Sequence, residues 1–465
     1  MLLTVAIDDL KVGMFVHLEL GWWAHPFALS NFAISSPDQI QTLRGLGLRQ
    51  VRWSPEKSQL DVPPEVADES VTGAANQPAT PGTAAAVEPP PAEPTAAAPA
   101  SAPAPAPAPA TPAQPLRMAI QPPRLASPAT RVLEAQRSAQ RLCEQQYHEA
   151  GAAWLEAQRQ LPSAPEQARV ISEGLTRALL DKLMVDQEMC VRVLSGVAGE
   201  PNAAHAMNVT VISLLMARVF GFGPDDMLDL GLGALLHDVG KHGLPERARH
   251  ADPRALPAEL QRYRSHVALG LLQGQRMGLR PGALSVLAQH HELADGSGFP
   301  NGLVQDNIAL AGRIVALINR YDNLCNPPQA ANGLTPHEAL SLIFAQSRGQ
   351  FDATMLNAFI RMMGVYPPGS VVQLTDDRYA SVVSVNSSRP LKPRVLVCDP
   401  HLPPEEALLL NLDGQADLGI RRSLKPGQLP AAARDYLSPS ARTVYFFEPV
   451  AAFPAAGAAQ QALAA

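Results

Sequence analysis

The adjacent pair His237-Asp238, inside LGALLHDVGKHGLP, is the first place where chemistry is legible. It closes a predicted apolar helix, where a carboxylate without a partner is costly to bury. A divalent cation removes that cost, because neutral imidazole and ionised carboxylate are both good ligands for borderline or hard ions. Neighbouring helical residues point about 100° apart, so the pair can serve two ions with Asp238 shared between them. Further donors are available. His205 opens the predicted helix AAHAMNVTVISLLMARVF, His266 lies in RYRSHVALGLLQG, and His290-His291 ends a helix at LAQHHELADGSGFP. One histidine in such a place is ordinarily a core or surface residue. Five of them with an aspartate, at helix ends in one helical stretch, point to a metal site, since facing helices project ligands inward.

The helices that must position these groups occupy residues 201–366, with Gly and Pro at their joints. The expected fold is mainly α: a helical bundle with a small N-terminal α/β domain and a small C-terminal β appendage. Residues 1–61 form the N-terminal module, with strands at 2–7, 13–20 and 48–53 and a helix at 37–46. Its His17 and His25 are lone histidines, and Trp22 and Trp23 read as packing residues. Residues 62–130 are a Pro/Ala-rich linker; proline lacks a donor and fixes φ, so no helix or sheet interior is expected there. Residues 131–200 read as a helical connector broken at Pro162–Pro165, and 451–465 as a frayed tail. Over 367–450, VVQLTDDRYASVVSVN and PRVLVCDP favour strands, with Asp376-Asp377 as a turn.

The ordered set His205, His237-Asp238 with Gly240-Lys241, His266, His290-His291-Glu292 and the loop DGSGFP resembles the HD superfamily, specifically its HD-GYP branch. The signature tripeptide stands here as Gly298-Phe299-Pro300. The first 60 residues resemble the small domain often found ahead of HD-GYP modules. The resemblance implies a phosphodiesterase that hydrolyses cyclic di-GMP to pGpG or GMP with two divalent ions, iron or manganese. It further implies His205, His237, Asp238, His266, His290, His291 and Asn319 as ligands, and Lys241, Asp295, Gly296, Gly298, Phe299, Pro300, Arg313 and Asp322 as substrate contacts. Asp238 and Lys241 would carry the catalysis. Two such ions activate water and neutralise a phosphodiester, and Lys241 adds positive charge beside the phosphate. The family places an aspartate where Asn319 stands, and the usual substrate arginine is replaced by the Pro327-Pro328 region. The alternatives are therefore an HD-GYP scaffold that binds cyclic di-GMP or a signalling partner without turnover, and a phosphohydrolase of another nucleotide. A diguanylate cyclase docking on the Gly298–Pro300 loop, and a homodimer, are the protein partners considered.

Composition narrows the rest. A net charge of -6 over 465 residues favours neither nucleic acid nor an anionic membrane surface. The four cysteines, Cys143, Cys190, Cys325 and Cys398, form no CxxC pair and suit reduced thiols in a cytoplasmic protein. No run of about 18 apolar residues suggests a membrane span.

Overall fold

The structure is a computed structural model that describes residues 2–18, 31–34, 36–58, 128–185, 188–194, 200–250, 255–386, 389–415 and 417–449. The linker read over 62–130, apart from its last three residues, lies outside them, as do the tail at 451–465, Trp22, Trp23 and His25.

In the N-terminal module, β1 (Leu3–Ala6), β2 (Phe15–His17), β3 (Asn31–Ala33), α1 (Pro37–Gly45) and β4 (Gln50–Ser54) build an antiparallel sheet in the order β1-β4-β2-β3 with one helix. Its core is Leu10, Met14, Val16, Leu18, Ile34, Leu43 and Val51. Ser36 starts the helix, its side chain accepting the Gln39 N–H. His17 is tied to Ser54 Oγ at 2.8 Å, a packing role.

The helical body begins with α2 (Pro128–Gln160) and α3 (Pro165–Leu183), followed by β5 (Met189–Val193). Along α2, Cys143, Tyr147, Ala150, Trp154, Ala157 and Leu161 are all buried. Their spacing alternates four and three, which makes one apolar stripe. That stripe is covered within the chain, and the Trp154 indole donates to the Leu235 carbonyl. There follow α4 (Pro201–Val219), α5 (Pro224–Leu236), α6 (Pro257–Arg264), α7 (His266–Met277), α8 (Pro281–Gln289), α9 (Leu310–Cys325), α10 (Pro336–Gln346) and α11 (Ala353–Met363). Proline opens α3, α4, α5, α6, α8 and α10. There its missing N–H costs nothing and its fixed φ already suits a helix. The nearly continuous apolar runs of α4 and α5 are explained by burial on all sides, with Val209, Val211, Ile212, Leu214, Leu230 and Ala234 without exposure.

The remaining strands are β6 (Val371–Leu374), β7 (Tyr379–Asn386), β8 (Arg394–Val397), β9 (Leu410–Asn411), β10 (Ile420–Leu424) and β11 (Tyr445–Pro449), with the short α12 (Ala431–Leu437) before the last. The small C-terminal β region expected from the sequence is present, and it takes in one further strand from earlier in the chain. The sheet order is β10-β6-β7-β5-β11, with β8 and β9 branching from β7, so a strand from before α4 lies inside the sheet, between β7 and β11. β5 pairs with both β7 and β11. Tyr445, Phe446 and Phe447 have no exposure and belong to the same apolar core as the helices. The run MCVRV was not recognised as a strand because all five residues are buried, which removes the alternation that marks a half-exposed strand. No helix among the described residues is long and apolar enough to cross a membrane.

Candidate metal centre

The histidine and aspartate candidates stand where helices begin or stop, whereas Asn319 lies within α9. His205 is in the first turns of α4, His237 caps the C-terminus of α5 with Asp238 next, His266 begins α7, and His290 caps α8. The side chains form two groups whose ligand atoms all lie within 4.8 Å of one another. One is His205, His237 and Asp238; the other is Asp238, His266, His290 and His291. Asp238 belongs to both. Its Oδ2 lies 3.6 Å from His205 Nε2 and 3.4 Å from His237 Nε2, and its Oδ1 lies 3.6 Å from His266 Nε2 and 3.9 Å from His290 Nε2.

The rings are held from behind. Nδ1–H of His237, His266 and His290 donates to the carbonyls of Ala234, Tyr263 and Leu287 at 2.7, 2.6 and 2.9 Å, and His205 Nδ1 donates to Asp322 Oδ2 at 2.6 Å. A carbonyl only accepts, so the proton of these rings is on Nδ1 and the Nε2 lone pair faces the centre. The same backing is typical of metal-binding histidines. Lone pairs then face one another: His205 Nε2 and His237 Nε2 are 3.1 Å apart, and His266 Nε2 and His290 Nε2 are 3.2 Å apart. Asp238 Oδ1 is buried without a hydrogen-bond donor. Such an arrangement is repulsive until a cation enters, so the donor set fits metal ions. Burial pushes the pKa of His266 below its usual value and those of His290 and His291 well below, which keeps them in the metal-binding form. Burial opposes the Asp238 charge, but Lys241 and the neighbouring histidines hold its carboxyl well below the usual range.

The turn after Asp238 depends on Gly240. A Cβ there would lie 1.9 Å from the His266 carbonyl and 2.4 Å from the Gly270 nitrogen, so only glycine lets this turn rest against α7. Lys241 Nζ donates to Asp238 Oδ2 at 2.6 Å and lies 5.7 Å from the ring centroid of Tyr263. The signature loop folds back over the second histidine group. Phe299 stacks on His291 with centroids 4.4 Å apart, and its N–H donates to the His291 carbonyl. Gly298 is packed so closely that a Cβ would meet the Leu293 nitrogen at 2.4 Å and the His291 carbonyl at 2.5 Å.

The model of the HD domain matches residues 192–355, and a domain of unknown function, DUF3391, matches residues 2–168. The chain therefore contains an HD domain, and the relatives it matches are of the HD-GYP type. A cyclic di-GMP phosphodiesterase of Pseudomonas aeruginosa is 27% identical over 414 residues, 85% of each chain. A cyclic di-GMP phosphodiesterase response regulator of Xanthomonas campestris is 27% identical over 44% of this chain and 56% of its own. A 3′3′-cGAMP-specific phosphodiesterase of Vibrio cholerae is 27% identical over 34% of this chain and 30% of its own. An HD-GYP-like protein of Bdellovibrio bacteriovorus, known in structure, aligns over 77% of this chain and 98% of its own at 12% identity, with a TM-score of 0.38.

Within the HD domain, the other residues singled out from the sequence have different surroundings. Asp322, expected at substrate, is without exposure and backs His205 instead. Arg313 pairs with Asp352 at 3.1 Å and donates to the Ile308 carbonyl, so its guanidinium is used within the fold. Asn319 is buried, and its Oδ1 accepts from Asn323 Nδ2 at 2.6 Å. Asp295 closes a turn by accepting from the Ser297 N–H and hydroxyl, and Gly296 follows it with φ +78°. Glu200 caps α4 by accepting the Ala203 N–H. Sequence reasoning assigned no role to Glu292. It is buried and accepts the N–H groups of Asn301 and Leu303 at 2.7 and 2.8 Å, which pins the loop containing Pro300 to the end of α8. Its place directly after the histidine pair was the available signal.

Proposed function

We propose that this chain is a metal-dependent phosphodiesterase that hydrolyses cyclic di-GMP to pGpG or GMP. Two divalent ions, iron or manganese, would be held by His205, His237, Asp238, His266, His290 and His291. The observation that carries the reading is Asp238, whose two oxygens each face a separate histidine group while one lacks any protein donor. When bound, the ions activate water and neutralise the phosphodiester. The protein supplies orientation: four imidazoles are locked by their Nδ1 partners, so little rearrangement opposes binding. The ammonium of Lys241, which donates to Asp238 Oδ2, would offset negative charge growing on the phosphate beside it. Asp295, Gly296, Gly298, Phe299 and Pro300 would contact the substrate beside the second histidine group, and Arg264, 5.1 Å from the Phe299 ring centroid, adds a cation at the same edge. The relatives named as cyclic di-GMP phosphodiesterases support the choice of substrate.

The test is an anaerobic assay of protein reconstituted with Fe²⁺ or Mn²⁺, against cyclic di-GMP and 3′3′-cGAMP in parallel, with products resolved by chromatography. The expected result is pGpG or GMP, absent in the His237→Ala/Asp238→Ala double variant. Metal bound without turnover of either nucleotide overturns the enzyme reading. Preferred turnover of 3′3′-cGAMP overturns the substrate.

A further inference from the structure

Unlike His237, His266 and His290, His205 is backed by a side chain rather than by a carbonyl of its own helix turn. The backing carboxylate is itself held, and by an unusual pair. Asn208 Nδ2 donates to Asp322 Oδ1 at 2.7 Å and to the Thr443 carbonyl at 2.9 Å, and its Oδ1 accepts the Tyr445 N–H at 2.7 Å. Asn326 repeats the pattern from the end of α9. Its Nδ2 donates to Asp322 Oδ1 at 2.9 Å and to the Thr443 carbonyl at 2.8 Å, and its Oδ1 accepts the Thr443 N–H at 2.8 Å. Both amides therefore use all of their donors and one acceptor on two targets, the backbone at Thr443–Tyr445 where the chain enters β11 and one carboxylate oxygen. With Oδ1 taken twice, Oδ2 is left for the His205 Nδ1–H.

The frame behind this is β11 together with Thr443 and Val444, which lead into it. Its backbone is fixed by pairing with β5, the Val444 carbonyl accepts from Leu194, and Tyr445, Phe446 and Phe447 are seated in the apolar core. We infer that Asn208 and Asn326 are positioning residues for His205, acting through Asp322, and that the C-terminal strand is thereby a structural part of the metal centre. A carboxylate free to rotate would offer His205 either oxygen at variable distance; two amides tied to a rigid strand leave it one. Outer partners of this kind commonly change metal affinity by about 10- to 100-fold. The inference rests on the reading of His205 as a metal ligand.

The experiment is Mn²⁺ titration of the full chain by calorimetry, with metal content measured after desalting and folding checked by circular dichroism and melting temperature. Asn326→Ala, at a half-buried position, is the leading variant; Asn208→Ala is its buried counterpart, and each is repeated in a His205→Ala background. The expected result for each single variant is about a tenfold or greater loss of affinity for one Mn²⁺ equivalent, with the equivalent held by His266, His290 and His291 unchanged. In the His205→Ala background neither substitution should have a further effect, since both act through that ring. Asn326→Asp keeps the acceptor for Thr443 N–H but loses the donor to Asp322, so it should resemble Asn326→Ala. Lower melting temperature with wild-type Mn²⁺ affinity overturns the proposal, as do equal losses at both equivalents or additive losses with His205→Ala. If Asn208→Ala does not fold, the Asn326 variants decide alone. A wild-type chain that takes up no Mn²⁺ overturns the metal reading and this inference with it, whereas normal wild-type uptake with unaffected variants overturns only this inference.

Discussion

Replacing Lys182 by methionine should make the stability of this protein less dependent on pH, by an amount the structure allows one to work out. The ammonium has no exposure, is hydrogen-bonded to Gln146 Oε1, and lies 4.3 and 5.3 Å from the ring centroids of Phe446 and Phe447. Burial lowers its pKa from 10.5 to about 8, against the pull of Cys143 and Glu448. Between those two values the folded chain binds fewer protons than the unfolded chain, so stability rises with pH across that window, and below it the full cost of burying the charge is present. At about 1.4 kcal/mol per pH unit, that cost is about 3 kcal/mol at neutral pH. A two-pKa titration between those values removes about 2 kcal/mol of it from about pH 7.5 to about pH 9.5. Lys182→Met carries no such charge. It does leave Gln146 Oε1 without its donor, which costs about 1–3 kcal/mol, but that loss does not vary with pH. The informative quantity is therefore the slope of the variant-minus-wild-type difference. Urea unfolding followed by circular dichroism, at several pH values with reductant present, measures it provided the transition is single and cooperative. The expected difference moves by about 2 kcal/mol in favour of the wild type as pH rises over that interval. A flat difference, or one moving the other way, refutes the reasoning.

Three further outcomes are expected. Gly240→Ala places a methyl against the backbone of α7; it should destabilise the fold by about 1–3 kcal/mol or more and weaken Mn²⁺ binding at the group containing His266, and wild-type melting and metal content would refute this. Glu292→Ala strands two backbone N–H groups, so a loss of about 2–3 kcal/mol and faster hydrogen exchange over residues 293–303 are expected; unchanged exchange there would contradict it. Mn²⁺ at about 100 times its dissociation constant should add about 2.7 kcal/mol of stability, removable by a chelator and absent in His237→Ala/Asp238→Ala. A melting temperature that ignores both metal and chelator would count against a metal site.

Several of these expectations concern contacts between residues far apart in the chain, and here the sequence and the fold contribute differently. What the sequence by itself determined is local. Proline at first helical positions marked where α3, α4, α5, α8 and α10 begin, and the apolar runs ahead of His237 and His290 marked where helices stop. The donor types at those ends follow directly from residue identity, as does the resemblance carried by their order. Which donors share an ion is not local. That His205 meets His237, that His266 meets His290 and His291, and that Asp238 stands between them depends on how four helix ends converge when their apolar faces are buried. The same holds for Asp322, which is 117 residues from the histidine it backs, and for Asn208 and Asn326, whose amides gain meaning only beside Thr443. β11 shows the reason most clearly. Its sequence says only that it is apolar and extended, while its partner β5 and its seat among the helices are chosen by long-range burial, which no window of neighbouring residues encodes.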